Sequence, residues 1–384
     1  MQDHQNDQMG ALVESVHGHA SAIESAGRLP DEVLTALRAS GVFGMWVPRE
    51  LGGAESTPAD VIDAIELLSA ADGSTGWCAA VAVGTGAVAA YLPEAGAREI
   101  FSTPSTITGG SFNPAGRAIV VDGGLRVSGR WAFGSGSQHA DWLCGTCLVL
   151  DEKGQPVIDD GGRPDARLVF FPTVDATIID TWHVVGLEGT GSHDFEVTDI
   201  EVPFPRAMSL AFDPWPTGAL WRLPPMALFF SPMAAVPLGI ARAAIDELVR
   251  LAQEKTPYRS AQSLAERDVV QSMVARAEAL VRSAGAFLRE ALDEVHAAAE
   301  RGQDISLHQR ALVRLAVVNG SRSGTKAVDL CFEAAGSSAL FRANPMQRYF
   351  RDVHVAGQHV VLAFSGLETV GRVLLGLEPD TPLL

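Results

Sequence analysis

Four cysteines, Cys78, Cys144, Cys147 and Cys331, are too few to staple a chain of 384 residues, so no disulfide framework is expected. Cys144 and Cys147 form a C-x-x-C, but it lies inside the apolar, strand-like run DWLCGTCLVL. No second pair or histidine stands at ligand spacing, which favours a structural role over a redox or metal one. Positive charge is also short: 29 Lys and Arg against 46 Asp and Glu leave a net charge of -17, with no basic cluster. Nucleic acid is thereby set aside as a partner. The N-terminus, MQDHQNDQMGALVESVHGHA, has no basic stretch followed by an apolar one, so it does not read as a secretory signal and the cytoplasm is the expected location. The longest apolar stretches, 79–92 and 226–240, are interrupted by Gly, Ser, Thr or Pro and fall short of the ~20 residues that span a bilayer. They are read as buried helices, with no membrane partner. Dinucleotide, P-loop, zinc-protease and serine-hydrolase signatures are absent as well.

What is present is an ordinary globular composition, 47% hydrophobic and 20% charged, with enough length for two or three structural units. Residues 8–105 carry helical signals. Pro30 and Asp31 open a helix with Val33, Leu34 and Leu37 on one face and Gly41 as a stop, and Thr57 with Pro58 caps the next. Residues 76–92 form a nearly uncharged Ala/Val/Gly stretch that has to be buried on almost all sides. From about 106 to 205 the chain changes to short β-branched and aromatic runs divided by Gly, Asp and Pro, with a hairpin signal at Asp122-Gly123. The close spacing leaves no room for crossover helices and predicts a small antiparallel sheet. Residues 233–254, 265–300, 306–335 and 344–376 show helical periodicity and predict a four-helix bundle.

Several segments carry a resemblance to the acyl-CoA dehydrogenase superfamily: LPDEVLTALRASGVFGMWVPRELGG (29–53), SGRWAFGSGSQHADW (128–142), WHVVGLEGTGSHDFEVTDIEVP (182–203) and AAGSSALFRANPMQRYFRDVHVAGQH (334–359). The fold so implied is α+β and mostly α: an N-terminal helical domain (1–105), a middle antiparallel β domain (106–215) and a C-terminal four-helix bundle (216–384). Dehydrogenases of the superfamily carry a base Glu after the Arg-Asp pair, whereas Arg351-Asp352 is followed here by Gln358-His359-Val360. That departure makes the chain similar to the two-component, flavin-dependent hydroxylases. Their oxygenase component takes reduced FMN or FAD from a separate NAD(P)H-dependent flavin reductase. It uses O2, by way of a C4a-hydroperoxyflavin, to hydroxylate or N-/S-oxygenate a small organic, aromatic or natural-product substrate, as a homotetramer (dimer of dimers) and without a metal. The alternatives are an acyl-thioester-oxidising FAD enzyme, for which Glu368 would be the base, and a flavin-binding homologue without oxygenase activity.

The same resemblance implies the site residues. Ser135 falls beside flavin N5 and Phe133 covers the ring, with Gly134 allowing close approach; the plainer reading of FGSGS is a glycine-rich strand end. Ser111 and Phe112 fall on the strand whose backbone meets the pyrimidine edge. Gly336, Ser337 and Ser338 of a neighbouring subunit fall near the flavin phosphates or adenine. His359 stands close to the missing Glu and is the expected proton acceptor or peroxide-stabilising group, its alternative being a helix-packing histidine. His354 falls on another face, and His139 reads as a structural hydrogen-bonder in a turn. Trp77, Thr85 and Phe229 are candidate pocket residues. Trp215 and Trp221, in FDPWPTGALW, either border the substrate entrance or fill a domain junction.

Overall fold

A computed structural model describes residues 2–151, 153–158, 162–209, 213–381 and 384, the side chains of 2–8 excepted. Five helices come first: α1 (Gln2–Ala26), α2 (Asp31–Ser40), α3 (Pro58–Ala71), α4 (Gly73–Gly86) and α5 (Glu94–Ile100). The start signals act as expected. Thr57 and Asp60 close a capping box on α3, and Gly41 ends α2 at φ 77°. Helix α4 opens on buried Asp72, whose carboxylate accepts from the Thr75 N–H (2.8 Å) and hydroxyl (2.9 Å). All of α4 except Val81 is buried, as its lack of charge demands.

Among the described residues seven strands follow: β1 (Thr108–Val121), β2 (Gly124–Gly134), β3 (Trp142–Leu150), β4 (Ala166–Pro172), β5 (Thr177–Ile179), β6 (His193–Pro203) and β7 (Ala207–Ser209). They form one sheet in the order β5-β6-β2-β1-β3-β4-β7. The sheet is mixed rather than antiparallel, because β1 and β3 run parallel while the other pairs run antiparallel. No crossover helix is needed. The hairpin at Gly123 brings the end of β2 back beside the start of β1, and the connection 135–141 then steps round that end, pairing Trp142 with Thr108. The inference from spacing fails because the parallel strands are not consecutive in the chain. Cys144 and Cys147 lie on opposite faces of β3, in separate apolar clusters, both as free thiols.

The last stretch opens with a π-helical turn, Met226–Phe230, running into α6 (Pro232–Glu254), then α7 (Asp268–Glu300) and α8 (Leu307–Ala335). Helix α6 packs on α3, α4, α7 and α8. Met226–Glu254 is long and apolar enough to cross a membrane, against the expectation from its interruptions, but 78% of its apolar window is buried inside the protein. The expected fourth long helix is two short ones, α9 (Met346–Ala356) and α10 (Gly366–Leu374), separated by turns from Gly357 to Ser365. The apolar pattern runs on through the break because Val361 and Leu362 stay buried in the turns.

Candidate active site

The end of β2 and the connection after it create the first half of the site. Phe133 takes φ 63°, a conformation costly for a side chain with a Cβ, and turns its ring outward, 69% exposed. There it meets Trp182 edge-on, with ring centroids 6.2 Å apart. Ser135, next but one, is buried. Its hydroxyl accepts the Trp77 indole N–H (3.0 Å) and bonds to the Ser192 hydroxyl (2.7 Å). Ser192 bonds in turn to the Thr190 hydroxyl (2.7 Å), which donates to the Leu187 carbonyl (2.8 Å).

The turn after α9 supplies the second half. His359 packs edge-on against Trp77, centroids 5.5 Å apart, so a single tryptophan from α4 touches both expected catalytic side chains. Its Nδ1 accepts from the Val361 N–H (3.4 Å), which leaves the proton of the neutral ring on Nε2. Burial, and secondarily Arg314, lower its pKa to about 4. The ring is therefore neutral near pH 7 and suited to donate from Nε2, and it is a weak base.

Both halves are held by the loop 182–192. Asp352 of α9 is fully buried and accepts the Leu187 N–H at 2.6 Å. Burial raises its pKa to about 7, against that hydrogen bond. Leu187 sits at φ 51°, and its carbonyl takes the Trp182 indole N–H (3.1 Å) as well as the Thr190 hydroxyl. Gly186 lies so close to α9 that a Cβ would stand 2.5 Å from the Arg351 backbone. Arg351 donates to the Val185 carbonyl (2.7 Å) and pairs with Glu188 (3.3 Å) and Glu24.

Other expected residues lie apart from this centre. Phe112 and Phe229 stand together, 6.1 Å between centroids, within an aromatic group that includes Tyr91 and Phe230. Ser111 sits beside them, at the irregularity where β1 slips against β3. Thr85 is buried with its hydroxyl within bonding distance of the Thr108 hydroxyl (2.7 Å) and the Val81 carbonyl (2.9 Å), so it ties α4 to β1. Trp215 donates to the Ala89 carbonyl (3.0 Å) and Trp221, buried, to Glu55 (3.3 Å), contacts of a junction; Phe212 of that loop lies outside the described residues. Gly134 packs on Phe195. Gly336, Ser337 and Ser338 form an exposed or half-buried turn after α8, with no recorded bond to Ser135 or His359 among the described residues. His354 faces Asp329 (3.0 Å). His139 departs from expectation, for its buried Nδ1 has no partner among the described residues. Glu368 is exposed on α10, which removes it as a buried base.

The residues fit a flavin ring: an acceptor hydroxyl at Ser135, a backbone thinned by Gly134 and Gly136, and an uncovered aromatic pair, Phe133 and Trp182. A cavity of about 500 Å³ bounded by Glu24, Asp180, Trp182, Glu188 and His193 adjoins this site through Trp182, and its carboxylates disfavour a phosphate there. Among the described residues no cluster of three or more His, Cys, Asp or Glu could hold a metal.

Comparison with known proteins shows the family to which this fold belongs. Residues 6–100 match the acyl-CoA dehydrogenase N-terminal domain and 232–364 the acyl-CoA dehydrogenase C-terminal domain. The indole-3-acetate monooxygenase of Pseudomonas putida is 31% identical, over 96% of this chain and 93% of that protein. The oxygenase component of the FADH(2)-dependent resorcinol hydroxylase of a Rhizobium species is also 31% identical, over 94% of this chain and 91% of its own. The structure of XiaF from a Streptomyces species, in complex with FADH2 and glycerol, superposes with a TM-score of 0.89 at 27% identity, covering 100% of this chain and 99% of that one. The chain belongs to the acyl-CoA dehydrogenase superfamily and, within it, to the flavin-dependent monooxygenases that serve as the oxygenase component of two-component systems.

Proposed function

We propose that this oxygenase acts on a small aromatic substrate bound between His359 and the Phe112–Phe229 aromatic group, with its flavin at Ser135 and Phe133. The observation that carries the reading is Trp77, which holds Ser135 by a hydrogen bond and His359 by ring contact. When bound, reduced FMN or FAD supplies two electrons to O2, so that one oxygen atom enters the substrate and the other leaves as water. The chain's own residues position and shield. Ser135 accepts the N5 hydrogen, Phe133 covers the ring, and the buried wall of α4 and the aromatic group excludes water. His359, neutral, donates from Nε2 to a polar substituent or to the oxygen being transferred.

The names of the relatives support an aromatic substrate: one acts on indole-3-acetate and another on resorcinol. The words 'oxygenase component' in the second name support a separate reductase, which would draw on NAD(P)H. A homotetramer in the cytoplasm, with Gly336, Ser337 and Ser338 reaching a neighbour's flavin, completes the proposal. The exposure of that turn in the single chain is consistent with such a role.

The test is to load the protein anaerobically with reduced FMN or FAD, mix it with oxygenated buffer and follow the flavin spectrum. A transient unlike either the oxidised or the reduced cofactor, followed by oxygenated product from an aromatic substrate, supports the reading. Immediate return of oxidised flavin with both cofactors, together with bleaching of bound oxidised flavin by an acyl-CoA, overturns it in favour of dehydrogenase chemistry.

A further inference from the structure

The row of hydroxyls behind Ser135 has a direction. A hydroxyl carries one proton and two acceptor lone pairs. Thr190 gives its proton to the Leu187 carbonyl at 2.8 Å, so its 2.7 Å contact with Ser192 is a bond that Ser192 donates. The Ser192 proton is then spent, and the 2.7 Å contact between Ser192 and Ser135 is a bond that Ser135 donates. Ser135 also takes the Trp77 indole N–H at 3.0 Å, and an indole nitrogen only donates. One lone pair is left on Ser135, and no proton. All three hydroxyl residues and Trp77 are buried, which keeps water from reversing the row.

We infer that Ser192 and Thr190 are positioning residues that fix Ser135 as an acceptor only, and so make the site select reduced over oxidised flavin. This rests on the placement of N5 at Ser135. N5 of the reduced ring bears a hydrogen that the free lone pair can accept; N5 of the oxidised ring presents a lone pair of its own and would face Ser135 unbonded. The far end of the row is fixed independently of any ligand, because Asp352 holds the Leu187 N–H and Trp182 shares the Leu187 carbonyl. Product flavin leaves and fresh reduced flavin enters on the strength of that polarity. The partner reductase is thereby served by a protein that releases what it needs to re-reduce.

The experiment measures dissociation constants of oxidised and of anaerobically reduced FMN and FAD for the wild type, Ser192→Ala, Thr190→Val and Ser135→Ala. Removing the Ser192 hydroxyl frees the Ser135 proton to turn toward N5. Oxidised flavin is then expected to bind roughly five- to tenfold more tightly while reduced flavin keeps its affinity within about twofold. The potential of the bound flavin falls accordingly by roughly 20–30 mV for this two-electron couple. Thr190→Val keeps the side-chain volume and breaks the row one hydroxyl farther on, so it shows the same sign and stands in if Ser192→Ala folds poorly. Ser135→Ala instead weakens reduced flavin. Equal weakening of both redox forms, or no change, in Ser192→Ala and Thr190→Val overturns the inference. A wild type that binds neither flavin in either state overturns the functional reading itself.

Discussion

His359 is held neutral by its surroundings: burial first and the Arg314 charge second bring its pKa to about 4, and its Nδ1 is occupied by the Val361 N–H. A donor role follows, and it separates two substitutions. His359→Ala is expected to lower product formed per NADH consumed by on the order of tenfold or more, with reduced-flavin affinity kept within about twofold. His359→Gln, which retains an N–H donor, should keep part of that coupling, and equal loss in both variants would favour base catalysis. Since the imidazolium forms only near pH 4, coupling should show no His359-dependent fall between pH 8 and 6; a pH profile of coupled turnover checks this. Ser135 and His359 were legible only through family resemblance. Their meeting at Trp77 was not, because the contact with Ser135 spans 58 residues of chain and no local pattern encodes it. Thr190 and Ser192 lie in the glycine-rich loop GLEGTGS, a pattern that by itself signals only a turn. Nothing nearby in the sequence says that Ser192 meets a hydroxyl 57 residues earlier.

At the scale of elements, the loop 182–192 and helix α9 act as one unit. Gly186 is the point of closest approach, and Gly186→Ala would push a methyl to 2.5 Å from the Arg351 backbone. The expected cost is about 1–3 kcal/mol, read as a lowered urea midpoint. The displaced loop should also release Leu187 from Asp352 and weaken reduced-flavin binding. Normal stability in that variant would mean that the loop and α9 are not seated as described. Local signals served well here: the Thr57 cap, the Gly41 stop, the hairpin at Gly123 and the long helices α6, α7 and α8 all follow from residues within a turn or two of where they act. Two features escaped because non-neighbours decide them. The sense of β3 is set by which edge of β1 the connection 135–141 reaches, and the break after α9 is hidden by apolar residues that stay buried in turns.

Across the whole molecule, two kinds of ionisable group, the buried Asp352 and the half-buried His359 and His139, oppose each other as pH changes. Asp352 is raised to about 7 from 3.8 in the fold, so the folded protein keeps a proton that the unfolded chain has lost, and stability falls as pH rises through that window. His359 and His139 are lowered to about 4 from 6.5, so there the unfolded chain binds more protons and stability rises with pH up to about 6.5. Asp352→Asn keeps a carbonyl oxygen for the Leu187 N–H and removes only the first contribution. Its melting temperature relative to wild type is expected to increase from pH 5 to pH 8; a flat or falling difference would show that Asp352 is ionised without penalty. The position of Asp352 has a consequence for synthesis as well. A ribosome-bound chain that has exposed residues 1–340 already holds Trp77, Ser135, Thr190 and Ser192, yet the side chain that grips Leu187 across 165 residues is still in the tunnel. The proposed flavin seat would thus be finished only once α9 has emerged, and a product truncated before α9 that folds its sheet would be a poor scavenger of the cell's free flavin.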